Sequence, residues 1–342
     1  MKTNEERDWS ELLPDVLNLI SKKLPDLCDF VRFRAVCKSW CSAVPISDPP
    51  PQFPWILMHD PSPDNELCFY SLSCGKIHRI HAPEALGRML IGPAQNYIFA
   101  IDREGSSPSL LNLLTKNEVP LPPIKNFHGR SSICMAPSCK PTQEGEHVAI
   151  WQRNKWDSRI CTLGLWQPGN EKWTEIEKYS NWAIQFYNDG MYYVYNKRTS
   201  ETEVIDVRAG TGAPTILVPP PETEFNYFVM SEEGLLGIHC YPGWPCEIYG
   251  LVQGNHANPH WMKLKTIGDQ MIFLSGRHTG FCAKVSNMNQ FKGNCVYLLR
   301  NHRDLSFSLD VYGIDAGKWE IWPISPDDAD FDRALTWFMP KI

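Results

Sequence analysis

Cysteine and histidine are the side chains best suited to holding a metal ion, and the sequence contains 12 cysteines and 10 histidines. Zinc knuckles use closely spaced ligand pairs of the Cys-x-x-Cys type, and the sequence has none. Its cysteine pairs are spaced more widely, as in Cys68/Cys74, Cys134/Cys139 and Cys240/Cys246. His78 and His81 are close together in the sequence but have no second ligand pair beside them. We therefore predict no metal site and no cofactor.

Catalytic motifs are also missing from the sequence. It lacks the glycine-rich loops that bind phosphate or dinucleotides, the Gly-x-Ser-x-Gly nucleophile elbow, the His-Glu-x-x-His helix and the kinase motifs. Acidic residues such as Asp206, Asp310 and Asp315 accompany strands and turns, where carboxylates more often accept backbone hydrogen bonds than transfer protons. The sequence therefore predicts a protein that is not an enzyme.

One aromatic segment, Tyr241-Pro242-Gly243-Trp244-Pro245, has the composition of a recognition loop. Aromatic rings provide contact area at a low entropic cost, and proline restricts the backbone. Two interpretations stay open: Tyr241 and Trp244 contact a bound substrate, or Trp244 packs on its own domain. These two residues are our candidates for substrate binding.

The overall charge and hydropathy exclude several classes of partner. With 33 Lys and Arg against 39 Asp and Glu, the 342-residue chain has a formal net charge of −6, whereas general nucleic-acid binding requires a basic surface. No apolar run approaches the roughly 18–20 residues that span a bilayer, and the polar N-terminus has no secretory segment. We expect no nucleic acid and no membrane partner, a location in the nucleus, the cytoplasm or both, and cysteines that are buried apolar residues rather than disulfides.

The first 45 residues favour three short helices. Pro14-Asp15 is a typical helix start, because proline fits the first turn and aspartate complements the helix dipole. Apolar residues then recur at helical spacing in three runs: Val16, Leu17, Ile20 and Leu24; Leu27, Phe30 and Val31; and Val36, Cys37, Trp40 and Val44. A lone core below about 40 residues is rarely sufficient. The segment is therefore either an arm docked on its own C-terminal domain or an interaction module with a partner.

The remaining residues favour β-strands, with β-branched and aromatic runs at 192–195, 203–207, 295–299 and 309–314. A Trp-x-x-apolar pattern recurs at Trp173, Trp261 and Trp319. The first interval of 88 residues equals two units of about 44, the length of a β-propeller blade, and the second interval of 58 is one unit plus an insertion near 286–293. We expect an all-β domain, most simply a degenerate six- or seven-bladed β-propeller that closes by pairing 55–58 with 319–324. A pair of β-sandwiches or an irregular all-β domain is the alternative.

The composition also predicts the domain boundaries. Prolines are sparse in the first 45 residues and cluster in a connector around 47–54. We predict a disordered N-terminus at 1–8, the helical module at 9–45, a Pro-rich linker at 46–54, the β-propeller-like domain at 55–325 and an acidic C-terminal segment at 326–342.

Two sets of motifs resemble known families. The ordered elements Leu13-Pro14-Asp15-Val16-Leu17, Leu24-Pro25 and Val36-Cys37-Lys38-Ser39-Trp40 together resemble an F-box, although Cys41 stands where many members carry Arg. The elements Gly268-Asp269, Phe273-Leu274 and Lys292-Gly293-Asn294-Cys295 resemble the plant F-box family of the KIB type, in which an F-box precedes a propeller-like domain and whose members are often described as F-box/kelch-repeat proteins.

The resemblance implies the substrate-recognition subunit of an SCF-type ubiquitin ligase. On that basis the F-box binds a Skp-type (plant ASK) adaptor that bridges to a cullin and a RING protein, and the β domain holds an unknown protein substrate. The residues expected to contact the adaptor are Leu13, Pro14, Val16, Leu17, Ile20, Leu27 and Val31. Val36, Cys37 and Trp40 are expected to hold the three helices together. Two alternatives stay open: a non-catalytic inhibitor whose propeller sequesters a partner such as a kinase, and a propeller enzyme or lectin.

Overall fold

The computed structural model describes residues 8–24, 26–50, 52–59, 66–94, 97–102, 105–124, 133–137, 148–153, 160–179, 182–188, 190–196, 199–206, 216–219, 221–254, 257–275, 279–284, 291–302, 307–322, 324 and 333–340. Within these ranges the chain forms three α-helices followed by 25 β-strands. This order confirms the prediction of a small helical module followed by a mostly-β domain.

The helices lie in the N-terminal segment, as predicted. They are α1 (Pro14–Ser21), α2 (Leu27–Arg34) and α3 (Lys38–Ala43), preceded by a 3-10 turn (Trp9–Glu11). Pro14 occupies the first turn of α1, and the Asp26 carboxylate caps α2 by accepting a hydrogen bond from the Cys28 N–H at 2.7 Å. A second 3-10 turn (Pro83–Ala85) lies within the β domain. Each described helix falls short of the length and hydropathy that a membrane span requires.

The described strands form six sheets, which we name A to F in chain order. Sheet A contains β1 (Trp55–His59), β2 (Glu66–Ser71), β3 (Ile77–His81) and the last strand, β25 (Arg333–Phe338). Sheet B contains β4 (Met89–Ala94), β5 (Tyr97–Ile101), β6 (Ser109–Asn112) and β7 (Glu118–Pro120). Sheet C contains β8 (Ile133–Pro137), β9 (Val148–Arg153), β10 (Ile160–Trp166) and β11 (Thr174–Tyr179).

The other three sheets complete the β domain. Sheet D contains β12 (Trp182–Asn188), β13 (Met191–Asn196), β14 (Thr202–Asp206) and β15 (Ile216–Val218). Sheet E contains β16 (Tyr227–Ser231), β17 (Gly234–His239), β18 (Glu247–Gly254) and β19 (Ala257–Leu264). Sheet F has five strands: β20 (Gln270–Ser275), β21 (Thr279–Lys284), β22 (Cys295–Asn301), β23 (Phe307–Gly313) and β24 (Lys318–Trp322). Neighbouring strands pair antiparallel, except that β20 and β22 are parallel.

Apolar side chains of neighbouring sheets pack together and arrange the sheets around a ring. β8 of sheet C contacts β12 of sheet D. At the other junctions, residues of both sheets belong to one apolar cluster: Phe69 and Ile98 (A and B), Phe99 and Trp166 (B and C), Tyr195 and Phe228 (D and E), Ile248 and Val296 (E and F), and Tyr297 and Ile56 (F and A). Among the described residues, each sheet therefore lies beside the next around a ring, which is the arrangement of a β-propeller.

The first and last strands of the β domain pair with each other. Trp55 lies opposite Phe338 in an antiparallel ladder of β1 and β25. The indole N–H of Trp337 in β25 also donates a hydrogen bond of 2.7 Å to the Leu274 carbonyl in sheet F. The predicted closure at 319–324 is wrong, because β24 is the outer strand of sheet F and cannot reach β1. The β domain therefore extends past the predicted boundary at residue 325, and the acidic run at 327–332 lies outside the described residues.

The tryptophan repeat marks equivalent strands. Trp173 directly precedes β11, Trp261 lies in β19 and Trp319 lies in β24, which are the outer strands of sheets C, E and F. The first interval spans two sheets, as predicted, because sheet D lies between C and E. The second interval is longer because sheet F contains the additional strand β21. The predicted insertion at 286–293 follows that strand, and most of it lies outside the described residues.

Candidate functional site

Helix α1 presents apolar side chains to two different surroundings. Successive residues of a helix are rotated by about 100°, so Leu13, Val16 and Ile20 form one stripe with Leu17 at its edge. Leu17 is fully buried, whereas Leu13 is 68% exposed and Val16 and Ile20 are 38% and 40% exposed. Leu19, also 68% exposed, extends the exposed side. We call Leu13, Val16, Leu19 and Ile20 the helical patch.

The buried face of the helical module packs on the β domain. Leu17, Phe30 and Val44 are fully buried in one apolar cluster with Trp55 and Phe338 of sheet A. This contact removes one apolar face of α1 and α2 from water. The module therefore docks on its own domain with one face and leaves the other face exposed, and its role as an interaction module stays a prediction.

Polar contacts fix the module and the linker in place. The Lys22 ammonium donates a hydrogen bond of 2.8 Å to the Asp48 carbonyl and also forms an ion pair with the Asp48 carboxylate. The Phe53 ring lies 4.9 Å from the Phe291 ring of the β domain, centroid to centroid. Asp48 thus ties the predicted linker to the helical module, and Phe53 ties it to the β domain.

Trp40 connects α3 to the rest of the module. Its ring packs on Phe33 of α2 with 4.4 Å between centroids, and its indole N–H donates a hydrogen bond of 2.9 Å to the Trp9 carbonyl. The Arg34 guanidinium donates a hydrogen bond of 2.7 Å to the Val44 carbonyl. Trp40 therefore makes the interhelical contacts expected of it, whereas Val36 is 60% exposed and contributes no such packing. Cys37, half-buried, is the N-cap of α3 and accepts no hydrogen bond there.

The structure divides the predicted adaptor-binding residues into two groups. Leu13, Pro14, Val16, Ile20 and Val31 are exposed. Leu17 and Leu27 are buried in the apolar cluster beneath them and therefore expose almost no surface to a partner. Both residues match the apolar pattern of the family, but that pattern does not distinguish a partner-facing side chain from one facing the same chain. Leu19, which lies off the predicted stripe, is also exposed.

The predicted recognition loop connects β17 and β18 and is exposed at its tip. Trp244 is 70% exposed and Tyr241 is 44% exposed. The loop backbone is held by a Trp244 N–H to Tyr241 carbonyl hydrogen bond of 3.0 Å, and the Trp319 indole donates to the Trp244 carbonyl at 2.6 Å. The Trp244 side chain is thus mostly exposed, and its carbonyl accepts the hydrogen bond from the neighbouring sheet.

A disulfide closes the base of this loop. Cys240 and Cys246 are bonded, with 4.4 Å between their Cα atoms. The Asn226 side chain further fixes the base by exchanging two hydrogen bonds of 2.8 Å with the Cys240 backbone. The prediction that the cysteines are buried and unpaired is therefore wrong for this pair, and also for Cys41, which is exposed.

One buried ion pair crosses the junction between the helical module and sheet A. The His78 Nε2 lies 3.1 Å from the Asp26 Oδ2, and their side chains are 14% and 1% exposed. Burial acts to raise the pKa of Asp26, but hydrogen bonds from His78, the Cys28 N–H and Ser71 outweigh it and lower that pKa. The hydrogen bond to Asp26, followed by the contacts with Cys28 and Cys74, raises the pKa of His78 to about 11.

The comparisons with known proteins agree with this geometry. The family model of the KIB1-4 β-propeller matches residues 69–321, which is about three quarters of the chain. The chain belongs to the KIB1-4 β-propeller family. The resemblance inferred from the motifs in sheet F is therefore confirmed.

Curated relatives of this family member are F-box proteins of Arabidopsis thaliana. It is 25% identical to the F-box/kelch-repeat protein At1g57790 over 98% of this chain and 95% of that one. It is 26% identical to the F-box protein At2g05970 over 100% of this chain and 98% of that one. A shorter match, 50% identical over 44 residues, covers 13% of this chain and 11% of the F-box protein SKIP23.

Proposed function

We propose that the protein is the substrate-recognition subunit of an SCF-type ubiquitin ligase. The observation that carries the proposal is the helical patch, because α1 keeps Leu13 and Leu19 68% exposed although its opposite face is already docked. Contiguous apolar surface of this kind is costly in water and is typical of a protein-binding face. A Skp-type adaptor is the partner that F-box relatives suggest for it.

The β domain is the proposed substrate receptor. We propose that the six sheets form one closed ring, with β25 as the strand that completes the first sheet. This interpretation is supported by the pairing of β1 with β25 and by the apolar clusters between neighbouring sheets. Tyr241 and Trp244 are the proposed substrate contacts, since their loop is stiffened at its base and exposed at its tip.

The proposed mechanism requires no catalytic residue from this chain. The helical module binds the adaptor, which bridges to a cullin and a RING protein, and the β domain holds a protein substrate near the charged ubiquitin-conjugating enzyme. The contribution to rate is proximity, since holding both reactants in one assembly raises the effective concentration of substrate lysines. We place this activity in the nucleus, the cytoplasm or both.

Rigid docking of the helical module supports this role. Because Leu17 and Phe30 share a core with Trp55, the orientation of the helical patch relative to the propeller is set by packing instead of by a flexible linker. A substrate held on the β domain is then presented at a defined distance from the adaptor.

Co-expression with a plant Skp-type adaptor, followed by size-exclusion chromatography and titration, tests the proposal. We expect a stable complex with the wild type and none with the double variant Leu13→Asp/Pro14→Ala. Ile321→Asp is the matched control, because Ile321 is 70% exposed on β24 and lies outside the helical module. Retained binding of the double variant would refute the assigned surface.

A partner captured by the β domain also distinguishes the two proposed functions of the propeller, which are substrate recognition for a ligase and sequestration. If a partner is captured by the β domain and its ubiquitination requires the intact helical patch, the protein is a ligase receptor. If the partner is captured and inhibited equally by wild type and Leu13→Asp/Pro14→Ala, the protein acts by sequestration, and the ligase proposal is wrong.

A further inference from the structure

The disulfide between Cys240 and Cys246 lies at the base of the loop that carries the proposed substrate contacts. Cys240 follows His239 and Cys246 precedes Glu247, and His239 and Glu247 form the last pair of the β17–β18 ladder. The two cysteines therefore enclose the five residues at 241–245, which we call the recognition loop. Among the described residues the seven other cysteines are free thiols, so the disulfide is specific to this loop.

The recognition loop has few other contacts in the described part of the chain. The Trp244 N–H donates a hydrogen bond of 3.0 Å to the Tyr241 carbonyl, and the Trp319 indole donates one of 2.6 Å to the Trp244 carbonyl. The Tyr241 ring meets the His239 ring edge to face, with 5.1 Å between centroids. Since both aromatic side chains of the loop are exposed, the disulfide is the strongest constraint on the shape of the loop.

The two sulfur atoms of the disulfide differ in their access to a reductant. Cys240 is 1% exposed and Cys246 is 9% exposed, so a thiolate from solution reaches the Cys246 sulfur first. The Asn226 side chain exchanges two hydrogen bonds of 2.8 Å with the Cys240 backbone, and these bonds do not depend on the disulfide. Reduction should therefore release the recognition loop while the β17–β18 ladder stays paired.

We propose that the Cys240–Cys246 bond is a reversible thiol–disulfide switch that controls the recognition loop. The inference rests on the proposed substrate-binding role of that loop and adds its regulation. The reductant is a small thiol such as glutathione, which is present in the nucleus and cytoplasm, where we place the protein.

The exchange reaction balances with two glutathione molecules. A glutathione thiolate attacks the Cys246 sulfur, which forms a mixed disulfide and releases the Cys240 thiolate to take a proton from solvent. A second glutathione thiolate attacks the glutathione sulfur of the mixed disulfide, which releases Cys246 as a thiol and forms glutathione disulfide. Two electrons thus pass to the protein, and glutathione disulfide drives the reverse reaction.

The two redox states should differ in substrate capture. The oxidised loop presents Tyr241 and Trp244 in fixed positions, whereas the reduced loop has to be ordered when a substrate binds, which costs affinity. Capture by the oxidised protein should therefore be stronger. Adaptor binding should not respond, because the helical patch contains no cysteine.

The test takes the purified full-length chain through glutathione buffers and measures thiol alkylation by mass spectrometry and amide hydrogen exchange. We expect a linked Cys240–Cys246 pair in oxidising buffer and two alkylated thiols in reducing buffer. Exchange of the Tyr241, Gly243 and Trp244 amides should become about tenfold faster on reduction, with the ladder of β17 and β18 unchanged.

Three results would overturn the proposal. Both cysteines could be alkylated even in glutathione disulfide, the bond could survive the most reducing glutathione buffer, or reduction could leave the exchange of the recognition loop unchanged. None of these measurements needs an adaptor or a substrate, so failure of the switch is distinct from failure of the ligase proposal.

Variants identify the disulfide as the cause of the response. Cys240→Ser/Cys246→Ser should exchange like the reduced wild type in every buffer. Cys41→Ser is the matched control, because Cys41 is an exposed free thiol outside the loop, and it should respond like the wild type. A double variant that exchanges as slowly as the oxidised wild type would refute the switch. If the double variant fails to fold, the buffer series on the wild type still decides the outcome.

Discussion

Leu13 and Leu17 lie one helical turn apart at α1, and truncating each should have opposite consequences. Leu13→Ala removes about three carbon groups, worth roughly 2.4 kcal/mol if fully transferred from water. Leu13 is 68% exposed in the free protein, so about 1.6 kcal/mol of that transfer remains available to a partner. The expected result is a roughly 15-fold weaker Kd for the Skp-type adaptor, with an unchanged free energy of unfolding.

Leu17→Ala is the matched variant. Leu17 is fully buried between α1 and sheet A, so its truncation leaves a cavity and should lower the free energy of unfolding by about 2–5 kcal/mol. Its adaptor affinity should stay near the wild-type value at temperatures where the variant is folded. Titration calorimetry and thermal unfolding measure the two quantities on the same samples. An adaptor affinity that falls with Leu17→Ala but not with Leu13→Ala would show that the assigned faces of α1 are reversed.

Three further predictions concern the β domain. In Gly237→Ala the new Cβ would lie within 2.7 Å of three ring carbons of the fully buried Phe225. We expect chemical denaturation to show that the free energy of unfolding falls by about 1–3 kcal/mol. Gly250→Ala is the control and should cost less, because its Cβ meets Leu264 no closer than 3.5 Å. Burial raises the pKa of the Cys282 thiol to about 12. Mass spectrometry after alkylation at pH 8 should therefore find Cys282 labelled far more slowly than the exposed Cys41. Equal labelling of the two residues in the folded protein would contradict this burial. Trp244→Ala should leave Tm unchanged, because the Trp244 side chain is 70% exposed and the hydrogen bond from Trp319 uses only the Trp244 carbonyl. The variant should nevertheless capture a cognate substrate more weakly than the wild type. Unchanged capture would remove the loop from the proposed substrate-binding site.

The helices could be predicted because their signals are local. Pro14 starts α1 and Asp26 caps α2 through contacts within a few residues, so a single sequence contains the necessary information. The spacing of Trp173 and Trp261 likewise predicted two blades, because each tryptophan occupies the same position in a repeated four-stranded unit.

Closure of the ring could not be predicted in the same way. The strand that pairs with Trp55 begins at Arg333, after an acidic run that suggests a solvated tail. Strand pairing between the two ends of a chain depends on the geometry of every sheet between them, and no local pattern encodes it. The disulfide between Cys240 and Cys246 was missed for a related reason, since a hairpin brings its two ends together only once β17 and β18 have paired.

The helical module and the β-rich domain could be predicted from the amino-acid sequence, because capping residues, hydrophobic periodicity and repeat spacing are properties of neighbouring positions. The F-box resemblance rests on ordered motifs that are likewise local in the chain. The tertiary structure alone decided which apolar residues of α1 and α2 remain available to a partner. Leu13 and Leu17 belong to the same amphipathic pattern, and only docking on sheet A buries one and exposes the other. It also brought Asp26 and Cys28 to Cys74 and His78, because residues far apart in sequence become neighbours only when two packed elements meet.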